Sequence, residues 1–307
     1  MKTAAPVHVH QLSQTVRMAS GPAGLSVLLI ENDQARCKLF LQGAHVASFT
    51  PNGQGNLLFM SPYSAYEKGK PFRGGIPICF PWFGKHPKRD DLYLHGLVRT
   101  KAWELREVND IADGSTKIIL ATEDDECTRS IWPHRFSLQL TITVAAFLRL
   151  ELQVTNTDEQ PISFEEAFHT YFHIGSLPDC SITGLEGCPV VDRADGNREY
   201  SQNGPVFVGG EFVRIFEPAG PVVVLHDPIL GRTIRMEQEN LKQVFVWNPG
   251  DEKARQNPEV LDAWKDFVCV EQVNSGKAAV VLEKGRTHQS TLQISSLPYG
   301  NLTGGHA

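Results

Sequence analysis

The stretch FSLQLTITVAAFLRLELQVTN, residues 136–156, decides the fold class. Leu138, Leu140 and Ile142 alternate with Gln139 and Thr141; beyond Val144-Ala145-Ala146, Leu148, Leu150, Leu152 and Val154 alternate with Arg149, Glu151 and Gln153. A period of two puts one set of side chains on a dry face and the other on a wet one, which is the pattern of paired antiparallel strands. Working outward, LSVLLIEN, CKLFLQG, KIILATE, GPVVVLHD, QVFVWN, AAVVLEKG and STLQIS are further short runs rich in Val, Ile, Phe and Thr. Turn-forming pairs separate them, among them Asn52-Gly53, Asp113-Gly114, Asn203-Gly204, Pro249-Gly250 and Ser275-Gly276. Helical pattern is confined to Pro258–Lys265 and a short turn near Glu67. Many short strands with almost no helix between them predict an all-β chain, a large antiparallel sandwich or barrel, and exclude a βαβ fold.

No Gly/Ser- or Pro-rich linker divides the chain and no repeat recurs at a fixed period, so one domain over residues 1–307 is expected. Residues 1–23 read as an extended N-terminal segment and 297–307 as a flexible tail. With 41% hydrophobic and 21% charged residues in 307, the chain can bury a substantial core. A net charge of −6 with no Lys/Arg run excludes the electrostatic footprint of a nucleic-acid binder. The six cysteines have no CxxC spacing, and Cys79 and Cys269 sit in apolar runs, so they read as free thiols. The N-terminal MKTAAPVHVHQLSQ carries no apolar stretch of the signal-peptide kind, and no run of about 18 apolar residues suggests a membrane span. A cytoplasmic protein with no membrane partner is the expectation.

Five segments could carry chemistry. In PFRGGIPICFPWFG, residues 71–84, Gly74 and Gly75 permit close backbone approach while Pro77 and Pro81 stiffen the path around Arg73, which suits a ligand-binding loop or a structural crossover. In LHGLVRTKAWEL, residues 94–105, His95 and Arg99 can face one cleft, although a lone histidine is as readily structural. FEEAFHTYFHIG, residues 164–175, sets His169 among Phe168, Tyr171 and Phe172, where an aromatic wall can tune an imidazole toward neutral pH. Glu165, Glu166, His169 and His173 invite a metal reading, but a spacing of four shares a face only on a helix, and the context is β. QVFVWNPGDEK, residues 243–253, contributes Trp247. In KDFVCVEQVN, residues 265–274, Phe267, Cys269 and Glu271 share one strand face, and a carboxylate ending an apolar face is desolvated into a better base.

Together these segments carry, in order, RGGIP, HG-x-x-R, H-T-Y-F, WNP and F-x-C-x-E. The chain thereby resembles the aldose 1-epimerase superfamily, in its hexose-6-phosphate epimerase branch, from about Gly24 to Ser295. The resemblance implies a β-sandwich of the galactose-mutarotase type. It implies His169 as general acid and Glu271 as general base, Arg73 and Arg99 on the phosphate or the sugar, His95 in the cleft and Trp247 as an apolar wall. The implied reaction interconverts α and β anomers of a hexose 6-phosphate by ring opening and reclosure, with no metal or organic cofactor and a small sugar phosphate as partner, on a monomer. Two positions depart from the family pattern. Val213 stands where relatives carry Asp, leaving Glu211 as a substitute contact, and Leu94 stands where relatives carry Gln. A mutarotase of unphosphorylated aldoses and a non-catalytic sugar-binding protein on the same fold remain as alternatives.

Overall fold

In the computed structural model, which describes residues 9–299, the strands Phe136–Val144 and Phe147–Asn156 pair antiparallel from Leu148 against Val144 to Asn156 against Phe136. Leu138, Leu140, Ile142, Leu148 and Leu150 are all fully buried, as the alternation requires. This hairpin belongs to a nine-stranded antiparallel sheet; an eight-stranded sheet and a five-stranded sheet accompany it. Val244, Val246, Val268 and Val270 of the eight-stranded sheet share one apolar core with the leucines of the hairpin. Sheet packed on sheet is a sandwich, the architecture expected.

The strand Phe267–Asn274 positions the site. It pairs with Gln243–Asn248 on one side and with Glu166–Phe168 and Tyr171–His173 on the other. Val268 and Val270 enter the main core, while Phe267 and Cys269 pack on the opposite face with Phe59 and Tyr171. Every residue of this strand is buried, so both its faces are covered and Glu271 is taken out of water with them.

Several local expectations need correction. Residues 9–20 supply two strands, Val9–Gln11 and Val16–Ser20, of the five-stranded sheet, and Val16 is fully buried. Leu297 and Pro298, expected in the tail, close the strand Thr287–Pro298; the rest of the tail past Tyr299, and residues 1–8, lie outside the described residues. Two α-helices were not expected. Glu126–Ile131 begins at a capping box in which Asp125 accepts the Thr128 N–H at 2.8 Å and Thr128 Oγ accepts the Asp125 N–H at 2.8 Å. Gly250–Arg255 follows the WNP motif directly. Both are six residues long, too short to show hydrophobic periodicity. The expected helix at Pro258–Lys265 is a 3₁₀ turn over Leu261–Asp266, and a turn closes at Glu67 through the Lys70 N–H. All six cysteines are free. Among the described residues no helix is long and apolar enough to cross a membrane.

Candidate active site

The RGGIP segment is a backbone platform under His169. Gly75 has φ of 63°, and a Cβ there would stand 2.3 Å from the Val46 carbonyl oxygen; Gly74 has φ of 117°, with the Phe59 oxygen 2.4 Å from its would-be Cβ. Only glycine fits either position. The close approach lets the His169 N–H donate to Pro77 O at 3.0 Å and the Tyr171 N–H to Gly75 O at 2.9 Å. Two of the five motifs are thus locked together by main chain, and Val270 N–H on Thr170 O at 3.2 Å ties in a third.

On that platform His169 Nδ1 lies 3.4 Å from Glu271 Oε1, with side chains 6% and 3% exposed. The imidazole stacks on Tyr171 at 4.9 Å and 6°, meets His95 edge-on at 5.0 Å, and has Trp247 at 6.2 Å and Phe83 at 6.4 Å. Neither His169 Nδ1 nor Glu271 Oε2 has a hydrogen-bond partner among the described residues. Buried polar atoms are left unpaired where a ligand completes them. Burial pushes His169 well below the usual histidine value, helped by His95, Arg99 and Arg73; burial pushes Glu271 well above the carboxylate range, opposed by Arg99. The aromatic wall therefore does not leave the imidazole near neutral pH as expected. It drives both groups toward their uncharged forms, so that one proton serves the pair.

His95 has φ of 67° and accepts the Gly84 N–H on Nδ1 at 3.2 Å, which places its own proton on Nε2 and makes it a neutral donor. Desolvation, then Arg99 and Arg73, lower its basicity in the same direction. Arg73 donates to the Tyr171 hydroxyl at 3.2 Å and stands 3.5 Å from Glu259 Oε2, while its Nε is buried and unpartnered. Arg99 is buried, donates to Phe72 O at 3.3 Å and has an unpartnered Nε. Among the described residues no carboxylate lies within ion-pair distance of it. Arg73, His95 and Arg99 line one cavity of about 360 Å³.

The remaining candidates fall into two groups. Trp247 is half-buried and completes the wall around His169 and Tyr171. Glu211 is exposed and ion-paired with Lys253 of the Gly250–Arg255 helix at 2.6 Å, with no contact to the His169–Glu271 pair. Val213 pairs in register with Trp247, so the position of the missing Asp does border the site. The metal reading over residues 165–173 dissolves. Glu166 is buried and satisfied by Asn274, His288 and Ser290, Glu165 accepts the Phe83 and Gly276 N–H groups, and His173 lines a separate cavity of about 760 Å³ with Arg232. A different set, His169, Cys269 and Glu271, offers three ligand-type atoms within 4.8 Å of one another. Arg73 and Arg99 add positive charge to that same set, which opposes a divalent cation there.

Residues 26–295 match the aldose 1-epimerase family. The chain belongs to that family. Relatives include a "Putative glucose-6-phosphate 1-epimerase" of Cenchrus ciliaris, 28% identical over 95% of this chain and 91% of its own length. A protein of the same name from Salmonella typhimurium is 30% identical over 81% of this chain and 83% of its own length. The solved structure of a "putative mutarotase" from Salmonella typhimurium superposes with a TM-score of 0.88 at 27% identity, covering 95% of this chain and 97% of that one. The fold is that of the galactose mutarotases, and the reaction class is that of an epimerase, an isomerase acting at the anomeric carbon of an aldose.

Within this epimerase, sequence reasoning missed Lys70 and Glu259, which line the same cavity as Arg73 and Arg99. Lys70 lies in the turn already expected at Glu67, and Glu259 in a segment read as plain helix. Neither carried a local signal, because what distinguishes them is the cavity they line.

Proposed function

We propose that this chain interconverts the α and β anomers of a hexose 6-phosphate, with glucose 6-phosphate as the first substrate to test, using His169 and Glu271 as its acid and base. The observation that carries the phosphate half of this reading is Arg99, a buried guanidinium with no carboxylate partner. An unpaired buried cation is costly to the fold and is retained where an anion completes it. Guanidinium matches phosphate geometry, and Arg73 stands in the same cavity.

The proposed chemistry runs through the desolvated pair. Glu271 takes the proton of the anomeric hydroxyl while His169 delivers one to the ring oxygen. Both oxygens are bonded to the same carbon, so an acid and a base 3.4 Å apart address them together. The ring opens to the aldehyde, C1 rotates relative to C2, and reclosure on the other face returns both protons. Opening begins with the pair's one proton on His169 and Glu271 ionised and ends with it on Glu271 and His169 neutral, the charge state that burial favours, and reclosure hands the proton back. His95 donates from Nε2 to a sugar oxygen, and Trp247 with Phe83 excludes water around the imidazole.

Exchange NMR between the anomers of glucose 6-phosphate, with free glucose and galactose alongside, tests the proposal. Acceleration of the phosphate above the free sugars is the expected result. Equal acceleration of free sugars would remove the phosphate from the reading, and no acceleration of any would leave a sugar-binding protein.

A further inference from the structure

The cavity that holds Arg73 and Arg99 also contains Lys70 and one carboxylate, Glu259. Glu259 is set there from several directions. Its N–H donates to Asn257 Oδ1 at 3.0 Å, its carbonyl accepts from Ser61 Oγ at 2.5 Å, and its Oε1 accepts the Ala65 N–H at 3.3 Å. Its other oxygen faces Arg73 Nη2 at 3.5 Å, a single loose contact where a good guanidinium–carboxylate pair makes two short ones. Arg73 Nε meanwhile has no hydrogen-bond partner among the described residues. Lys70 is brought to the same cavity by Gln42, whose amide donates to the Glu67 and Lys70 carbonyls at 3.1 and 2.9 Å and whose oxygen accepts the Gly69 N–H at 2.8 Å.

The carboxylate thus sits on the cation that the substrate's anion needs. We propose that Glu259 tunes the affinity of the site, as a built-in monoanion on Arg73 that the substrate's phosphate displaces. The inference rests on the sugar-phosphate reading above. A group of single negative charge gains little by exchanging places with Glu259, since it puts one charge where one already stands. A phosphate dianion brings a second charge that reaches the unpaired Arg99, and the exchange becomes favourable. Every anion that takes Arg73 gives up the same Arg73–Glu259 contact, so Glu259 weakens anion binding and leaves an uncharged sugar, which displaces nothing, unaffected.

Glu259→Gln tests this, because glutamine keeps one oxygen as the acceptor for Ala65 and replaces the charged acceptor facing Arg73 by an amide N–H group. Binding of inorganic phosphate is measured by calorimetry on wild type and variant, and anomer exchange by NMR for glucose 6-phosphate and free glucose. The expected result is phosphate binding tighter by about three- to tenfold, the span of a roughly 1 kcal/mol contact between part-exposed charges, a KM for glucose 6-phosphate lower by a similar factor, and no change for free glucose. Weaker phosphate binding would show Glu259 to be a support for Arg73 and overturn the proposal, as would an equal change for free glucose. Glu259→Ala should move both readings in the same direction as the glutamine variant. If wild type accelerates no sugar phosphate, the substrate reading fails by itself, while the change in phosphate affinity still judges the competition at Arg73.

Discussion

The two ends of the site are built by opposite uses of burial. At the inner end, His169 and Glu271 are both driven toward neutrality, one below and one above its ordinary range. At the outer end, Arg99 is equally buried, yet a guanidinium stays charged in proteins and can only lack a counter-charge. Desolvation therefore makes a proton-exchanging pair from groups that can change charge and an anion receptor from a group that cannot. Arg73 lies between the two regimes: its Tyr171 contact reaches toward the stacked imidazole and its Glu259 contact toward solvent. This separation predicts that substitutions at one end alter turnover and those at the other alter binding.

The largest effect should come from the inner end. Glu271→Gln or His169→Asn is expected to lower anomer exchange by about 10²- to 10⁴-fold, and the double variant by hardly more than the worse single one, since the two act as a unit. Glu271→Gln should also melt no lower than wild type at neutral pH. The sign follows from its raised value: the contribution of Glu271 to folding is most favourable below the unfolded carboxylate range and is lost as pH rises through the folded value. Glutamine has no such loss, so a clearly lower melting temperature for the variant would break the account of the inner end.

Next in size, Arg99→Met should raise KM for glucose 6-phosphate by about 30- to 150-fold, equivalent to about 2–3 kcal/mol, with kcat little changed. Its stability should hold or rise, because methionine replaces a buried charge that has no carboxylate partner. A fall in kcat with KM unchanged would erase the distinction between the ends.

The pH profile sharpens the comparison further. The working state holds one proton on the pair, so activity should fall on the acid side where His169 gains a second proton and on the basic side where Glu271 loses the last. With His169 lowered and Glu271 raised, the acid limb lies below the ordinary histidine value and the basic limb above the ordinary carboxylate value. The residual activity of Glu271→Gln should lack the basic limb. The smallest effect is expected at the lip, where Leu94 lines the cavity and is exposed: Leu94→Gln should lower KM by about two- to tenfold through one added hydrogen bond, read from initial rates at several substrate concentrations.

Legibility followed the range of the interactions involved. The alternation over residues 136–156 foretold the central hairpin because strand burial is a property of successive residues. The shared face of Phe267, Cys269 and Glu271 was readable for the same reason. The two short helices were not, since one turn and a half shows no period and Asp125 with Thr128 offered only a cap. Glu211 fits the expectation poorly: proximity in sequence to Val213 suggested a substitute contact, whereas the exposed chain found Lys253.

By itself the sequence determined the β architecture, the order of the five motifs and the residue types available for acid, base and anion binding, all of which depend on local pattern. Tertiary structure alone decided that His169 and Glu271 meet across 102 positions at 3.4 Å (271 − 169), that burial pushes both toward their uncharged forms, and that Arg99 has no carboxylate partner among the described residues while Glu259 is placed on Arg73. Proton affinity and ion pairing are set by what surrounds a group within a few ångströms, and those neighbours are drawn from strands and loops far apart in the chain.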